Sequence, residues 1–125
     1  MHIRTGTDVN GNDGCDPPQS LGMNQFTSVR INVFEGGLIE IFYDNVNVCK
    51  QLMPGTPYSG PGVVKIYGSD PWHSASNAQI RNLIYAPIPM LGAQAITLSR
   101  NNLLRSEVAH KSYTVSFDIK PMGKP

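Results

Sequence analysis

Between Phe26 and Gln51 apolar and polar residues alternate with a period of two, interrupted once by a pair of glycines. Val29, Ile31 and Val33 alternate with Ser28, Arg30 and Asn32, the spacing of a strand buried on one face. Glu35-Gly36-Gly37 then reads as a tight hairpin turn, because glycine supplies the positive φ such turns need. The return leg sets Ile39, Ile41 and Tyr43 on one face and Leu38, Glu40 and Phe42 on the other. Two long apolar strands are not stable alone in water, so the pattern requires a second sheet and predicts a β-sandwich.

The same pattern continues outside the hairpin. His2 to Thr7 reads as a short strand and Thr7 to Gln19 as a polar loop. Residues 53–62, MPGTPYSGPG, form a Pro/Gly-rich surface loop, a compositional candidate for O-linked glycosylation. Val63 to Tyr67 is expected to be a strand, and Ser69-Asp70-Pro71 a turn. AQIRNLIY, residues 78–85, reads as a strand whose imperfect alternation implies a bulge. Ala86 to Leu91 is a crossing segment. Ile96 to Val108 holds a strand and a second apolar patch, with a short helix over Leu103 to Ala109 as the alternative. Ser112 to Ile119 alternates cleanly, with Tyr113, Val115, Phe117 and Ile119 on one face.

Composition sharpens this to one all-β domain. A chain of 125 residues can bury a real core, and 12 glycines and 10 prolines favour many short strands joined by turns. A net charge of +1 gives no reason to expect nucleic acid, and no run reaches transmembrane length. The charge is uneven: residues 1–78 carry −3 and residues 79–125 carry +4. Scattered solvated charges explain this, as does head-to-tail attraction between copies of the chain.

Two cysteines, Cys15 in a polar loop and Cys49 just past a strand, belong to no metal or redox motif. A disulfide between them is the favoured reading over two free thiols, and it implies an oxidising, extracellular setting. Met1-His2-Ile3-Arg4 lacks the basic start and apolar segment of a signal peptide, so an extracellular chain numbered this way is expected to be a processed or partial piece. Asp8, Asn10 and Asn12 have the one-three-five spacing of a calcium loop, but Asp13 stands where the sharp-turn glycine belongs and Gln19 where the bidentate glutamate belongs. A calcium site of another kind would use Asp8, Asn10, Asp13 and Asp16; the alternative is a plain turn-rich loop, because these residues are also the best turn formers.

The hairpin, in outline xxVRIxVxxGxLxIxYDN, resembles the core of concanavalin A-like lectin/glucanase and laminin-G jelly rolls, and VVKIYGSDPWHSASNAQIRNLIY resembles their closing strands. SYTVSFDIKP resembles an opening strand of the same kind of module, yet it comes last. The resemblance implies an antiparallel jelly-roll-like β-sandwich over residues 1–125. In it, 1–91 correspond to the carboxyl half and 92–125 to the opening strands, in permuted or partial order. An interrupted strand order leaves edges that a neighbouring chain can complete.

Glucanases of this fold carry E-x-D-x-x-E on one strand; here Glu40 is present, but Phe42 and Asn45 stand where carboxylates are needed. No nucleophile elbow or phosphate loop is present, and the three histidines are scattered, so the chain reads as a non-enzyme. The leading expectation is an extracellular structural subunit that self-assembles into a fibre or oligomer by strand exchange, with Tyr113, Val115, Phe117 and Ile119 on the assembly strand. The alternative is a carbohydrate-binding lectin-like module, calcium-dependent or not. Its candidates are Tyr67, Asp70, Trp72 and His73, with Trp72 either stacking on sugar or plugging the end of the sandwich.

Overall fold

A computed structural model describes residues 1–57, 66, 76–88 and 112–123. These form an all-β, sandwich-like arrangement of two antiparallel sheets. Two short strands, β1 (Ile3–Arg4) and β2 (Gly14–Cys15), pair with each other. The main sheet holds β3 (Thr27–Val33), β4 (Leu38–Tyr43), β5 (Val46–Leu52), β6 (Ala78–Pro87) and β7 (Tyr113–Pro121). Its spatial order is β5-β4-β3-β7-β6.

The alternation read from the sequence sets the core. Val29, Val33, Ile39 and Ile41 are almost wholly buried, and Ile31, Tyr43 and Val115 join them on the same side of the sheet. Cys15 and Met53 cover this side, with Met1, Ile3 and Leu21 packed around them. The β3–β4 connection turns at Gly37, whose φ is +98°; the Gly37 N–H donates to Phe34 O and the Phe34 N–H to Leu38 O. A Cβ at Gly37 would lie 2.5 Å from the Met53 carbonyl oxygen, so this position needs glycine for space as well as for φ.

Several expectations need correction. The hairpin is a three-stranded meander: Asp44 and Asn45 take φ of 48° and 68°, both positive as a two-residue hairpin turn of this twist demands, and lead into β5. Cys49 therefore lies within a strand, opposite Ile41, rather than past its end. Cys15 is buried, at 2% exposed, and sits in β2, inside the stretch read as a polar loop. The first strand is only Ile3–Arg4, and Ala86 and Pro87 extend β6 rather than forming a crossing segment.

The bulge expected in residues 78–85 is present. Arg81 pairs with Asp118 and Ile84 with Ser116, so Asn82 and Leu83 oppose Phe117 alone. Asn82 takes a φ of 56°, a conformation that asparagine tolerates better than most residues. Of the expected Val63–Tyr67 strand only Ile66 is described, exposed and outside any strand. The turn at 69–71, the strand and alternative helix within 96–109, and residues 58–62 of the 53–62 loop lie outside the described residues.

Candidate functional site

The expected assembly strand is β7, and it lies inside the sheet. Tyr113, Val115, Phe117 and Ile119 pair with Val33, Ile31, Val29 and Thr27 of β3. On its other side β7 meets β6, with Tyr113 opposite Pro87, Val115 opposite Tyr85 and Ile119 opposite Ile80. All four residues share the core side: Val115 is buried, and the other three are half-buried against the cluster. The Tyr113 ring lies 5.3 Å from that of Tyr85, and its hydroxyl lies 2.8 Å from Thr5 Oγ1. Burial pushes the pKa of both phenols up; the Thr5 hydrogen bond partly offsets this at Tyr113, and proximity to Tyr113 adds to it at Tyr85. Ser112, just before β7, accepts the Glu35 N–H at 3.0 Å and so fastens the strand to the β3–β4 turn.

The opposite side of the sheet is polar and organised across strands. Thr114 Oγ1 donates to Asn32 Oδ1 at 2.7 Å, and Asn32 Nδ2 to Glu40 Oε1 at 3.4 Å. The Arg30 guanidinium lies 4.4 Å from the centre of the Phe42 ring and donates to Asn45 Oδ1 at 3.1 Å. Near β6, Arg81 stacks 3.7 Å from the Phe26 centroid and contacts Asp118 at 3.1 Å, while Lys120 lies 4.9 Å from the same ring. Hydrogen bonds from Asn82 and then Arg81 hold the Asp118 carboxyl below the usual carboxylate range. Glu40, Phe42 and Asn45 thus serve cross-strand contacts. Sequence reasoning missed this row, although the polar residues that alternate with the core in β3, β4 and β7 were its signal.

The four candidate calcium donors each face protein groups. Asp8 Oδ1 accepts the Thr56 N–H at 2.8 Å, Asn10 Oδ1 the Asn12 N–H at 3.0 Å, and Asp13 Oδ1 the Gly14 N–H at 2.8 Å. Asp16 forms a two-pronged pair with Arg4 at 2.7 and 2.9 Å and lies 3.2 Å from His2 Nδ1. The Arg4 hydrogen bonds, with help from His2, draw the Asp16 carboxyl down to about 2. Among the described residues no three His, Cys, Asp or Glu side chains are gathered as a metal would need. The carbohydrate candidates Tyr67, Asp70, Trp72 and His73 lie outside the described residues.

Cys15 and Cys49 form the expected disulfide, with their Cα atoms 6.3 Å apart, and it ties the small sheet to the β5 edge. Among the described residues no helix is long and apolar enough to cross a membrane. No family model, curated protein or solved structure matches the chain.

Proposed function

We propose that the chain is an extracellular structural subunit that self-assembles by exchanging β7 between copies of its sandwich. One observation carries this reading. β7 fills a slot between β3 and β6, paired along both sides, yet 25 residues separate it from β6 where a short hairpin loop would suffice. A connection of that length spans up to roughly 80 Å when extended, enough to deliver β7 to the same slot in a neighbour. The contacts made would be identical, so exchange costs little beyond the entropy of association. The Cys15–Cys49 disulfide supports an oxidising compartment.

The test uses Asn32 and Thr114, paired across β3 and β7 on the polar side. With both replaced by cysteine, a short thiol cross-linker joins the two strands. Covalent multimers on a reducing gel support exchange. A link found only within single chains, in a protein that light scattering reports as monomeric, would end this reading.

A further inference from the structure

β5 carries one residue more than its partner strand accommodates. Phe42 pairs with Asn47 and Ile41 with Cys49, so Val48 is the extra residue of a β-bulge. Val48 and Cys49 are both half-buried and both packed against the core cluster, which successive residues of a regular strand cannot be. Had the pairing that starts at Val46 and Tyr43 continued without a break, Cys49 would stand opposite Glu40 on the polar side and Lys50 opposite Ile39 on the core side. The bulge reverses both. It sets Cys49 on the side where Cys15 is buried, and it sets Lys50 opposite Glu40, an opposite charge.

We propose that this bulge is held by Asn47 and not created by the disulfide, so that Asn47 is the positioning residue that presents Cys49 to Cys15. A bulge interrupts the ladder, and the Asn47 side chain spans the interruption. Its Nδ2 donates to Ile41 O on β4 at 3.3 Å and to Cys49 O on β5 at 3.1 Å. The two amide hydrogens thus fix the main chain of Cys49 relative to β4. With Cys49 in place, closure is a thiol–disulfide exchange. One cysteine forms a mixed disulfide with oxidised glutathione and releases one glutathione as a thiol; the other cysteine's thiolate then attacks the protein sulfur of that bond and expels the second glutathione. Two protons and two electrons leave the chain, and one oxidised glutathione becomes two reduced ones. The clamp acts on the second step, in which two sulfurs of the same chain must meet.

Two measurements on the full chain test this. Nuclear magnetic resonance of the variant with Cys15→Ala and Cys49→Ala reads the β5 register from cross-strand contacts. Position 49 is expected opposite Ile41 and Lys50 opposite Glu40, as in the disulfide-bonded chain. Position 49 opposite Glu40, or a β5 that no longer pairs, overturns the proposal, because the disulfide would then be what makes the bulge. The second measurement is the equilibrium between disulfide and thiols in glutathione buffers, for the parent and Asn47→Ala, with circular dichroism to confirm that the reduced chains fold. Asn47→Ala is expected to shift it towards the thiols roughly 5- to 10-fold. A merely structural role would lower the urea stability of oxidised and reduced forms alike and leave this equilibrium where it was. An unchanged equilibrium therefore overturns the proposal. If Asn47→Ala does not fold when reduced, Asn47→Ser, which keeps one donor, takes its place. It is expected to shift the equilibrium in the same direction by a smaller factor, and no shift is again the overturning result.

Discussion

Thr5 Oγ1 and the Tyr113 hydroxyl lie 2.8 Å apart although 108 residues separate them in sequence. The contact joins the segment beside β1 to the first residue of β7, so it reports on whether the small sheet and the main sheet are docked. Thr5→Val and Tyr113→Phe are each expected to cost about 1 kcal/mol, and the double variant little more than either, because both remove the same bond. Denaturant titration of the four proteins checks this. Removing Thr5 is also expected to push the Tyr113 phenol further up, read by ultraviolet titration.

The Cys15–Cys49 disulfide closes a loop across a sequence separation of 34 residues. Loop-closure entropy places its contribution at about 3–4 kcal/mol. Cys15→Ala with Cys49→Ala is expected to lower unfolding stability by that amount, or by more where loss of the buried Cys15 sulfur opens a cavity. Urea unfolding of the double variant measures it.

Asp16 sets a pH dependence whose sign is fixed. Its folded carboxyl titrates at about 2, below the usual value, so its contribution is complete above pH ~4 and fades as pH falls through 2. Because the pair with Arg4 is exposed, the contribution is less than about 1 kcal/mol at neutral pH. Asp16→Asn is expected to be less stable than the parent at pH 6, with the difference shrinking towards pH 2. Thermal melts across that range test it.

Tyr43 is 7% exposed, and among the described residues its hydroxyl has no hydrogen-bond partner. A buried donor without an acceptor costs free energy that a phenyl ring does not. Tyr43→Phe is therefore expected to leave stability unchanged or raise it by up to about 1 kcal/mol. A loss greater than 1 kcal/mol would mean that the hydroxyl has a partner in solution.

Gly37→Ala is expected to destabilise by about 1–3 kcal/mol, since alanine is strained at a φ of +98° and its methyl would press on the Met53 carbonyl. Gly36→Ala, whose added Cβ meets nothing within 4 Å among the described residues, is the control and is expected to be nearly neutral.

How much of this the sequence revealed depends on burial. β3, β4 and β7 each press one face into the core, so their period of two was plain and the residues on each face were read correctly. β5 is an edge strand, exposed or half-buried throughout, and nothing forces its sequence to alternate. The two-residue turn before it had a signal in Asp44-Asn45, side chains that tolerate positive φ. β1 and β2 are two residues each, too short to show any period. In the N-terminal loop the spacing of Asp8, Asn10 and Asp13 has two meanings, because oxygens that bind metal also cap turns. In the structure they accept backbone N–H groups.

The place of β7 between β3 and β6 also has a kinetic meaning. The β3-β4-β5 meander is joined by short turns and can form early, whereas Thr114 must find Asn32 across 82 residues. Until it does, the flank of β3 that β7 pairs with is bare. Non-local pairing of this kind is expected to be slower than closure of the meander, and a flank still bare in that interval is one that another chain's strand could also fill.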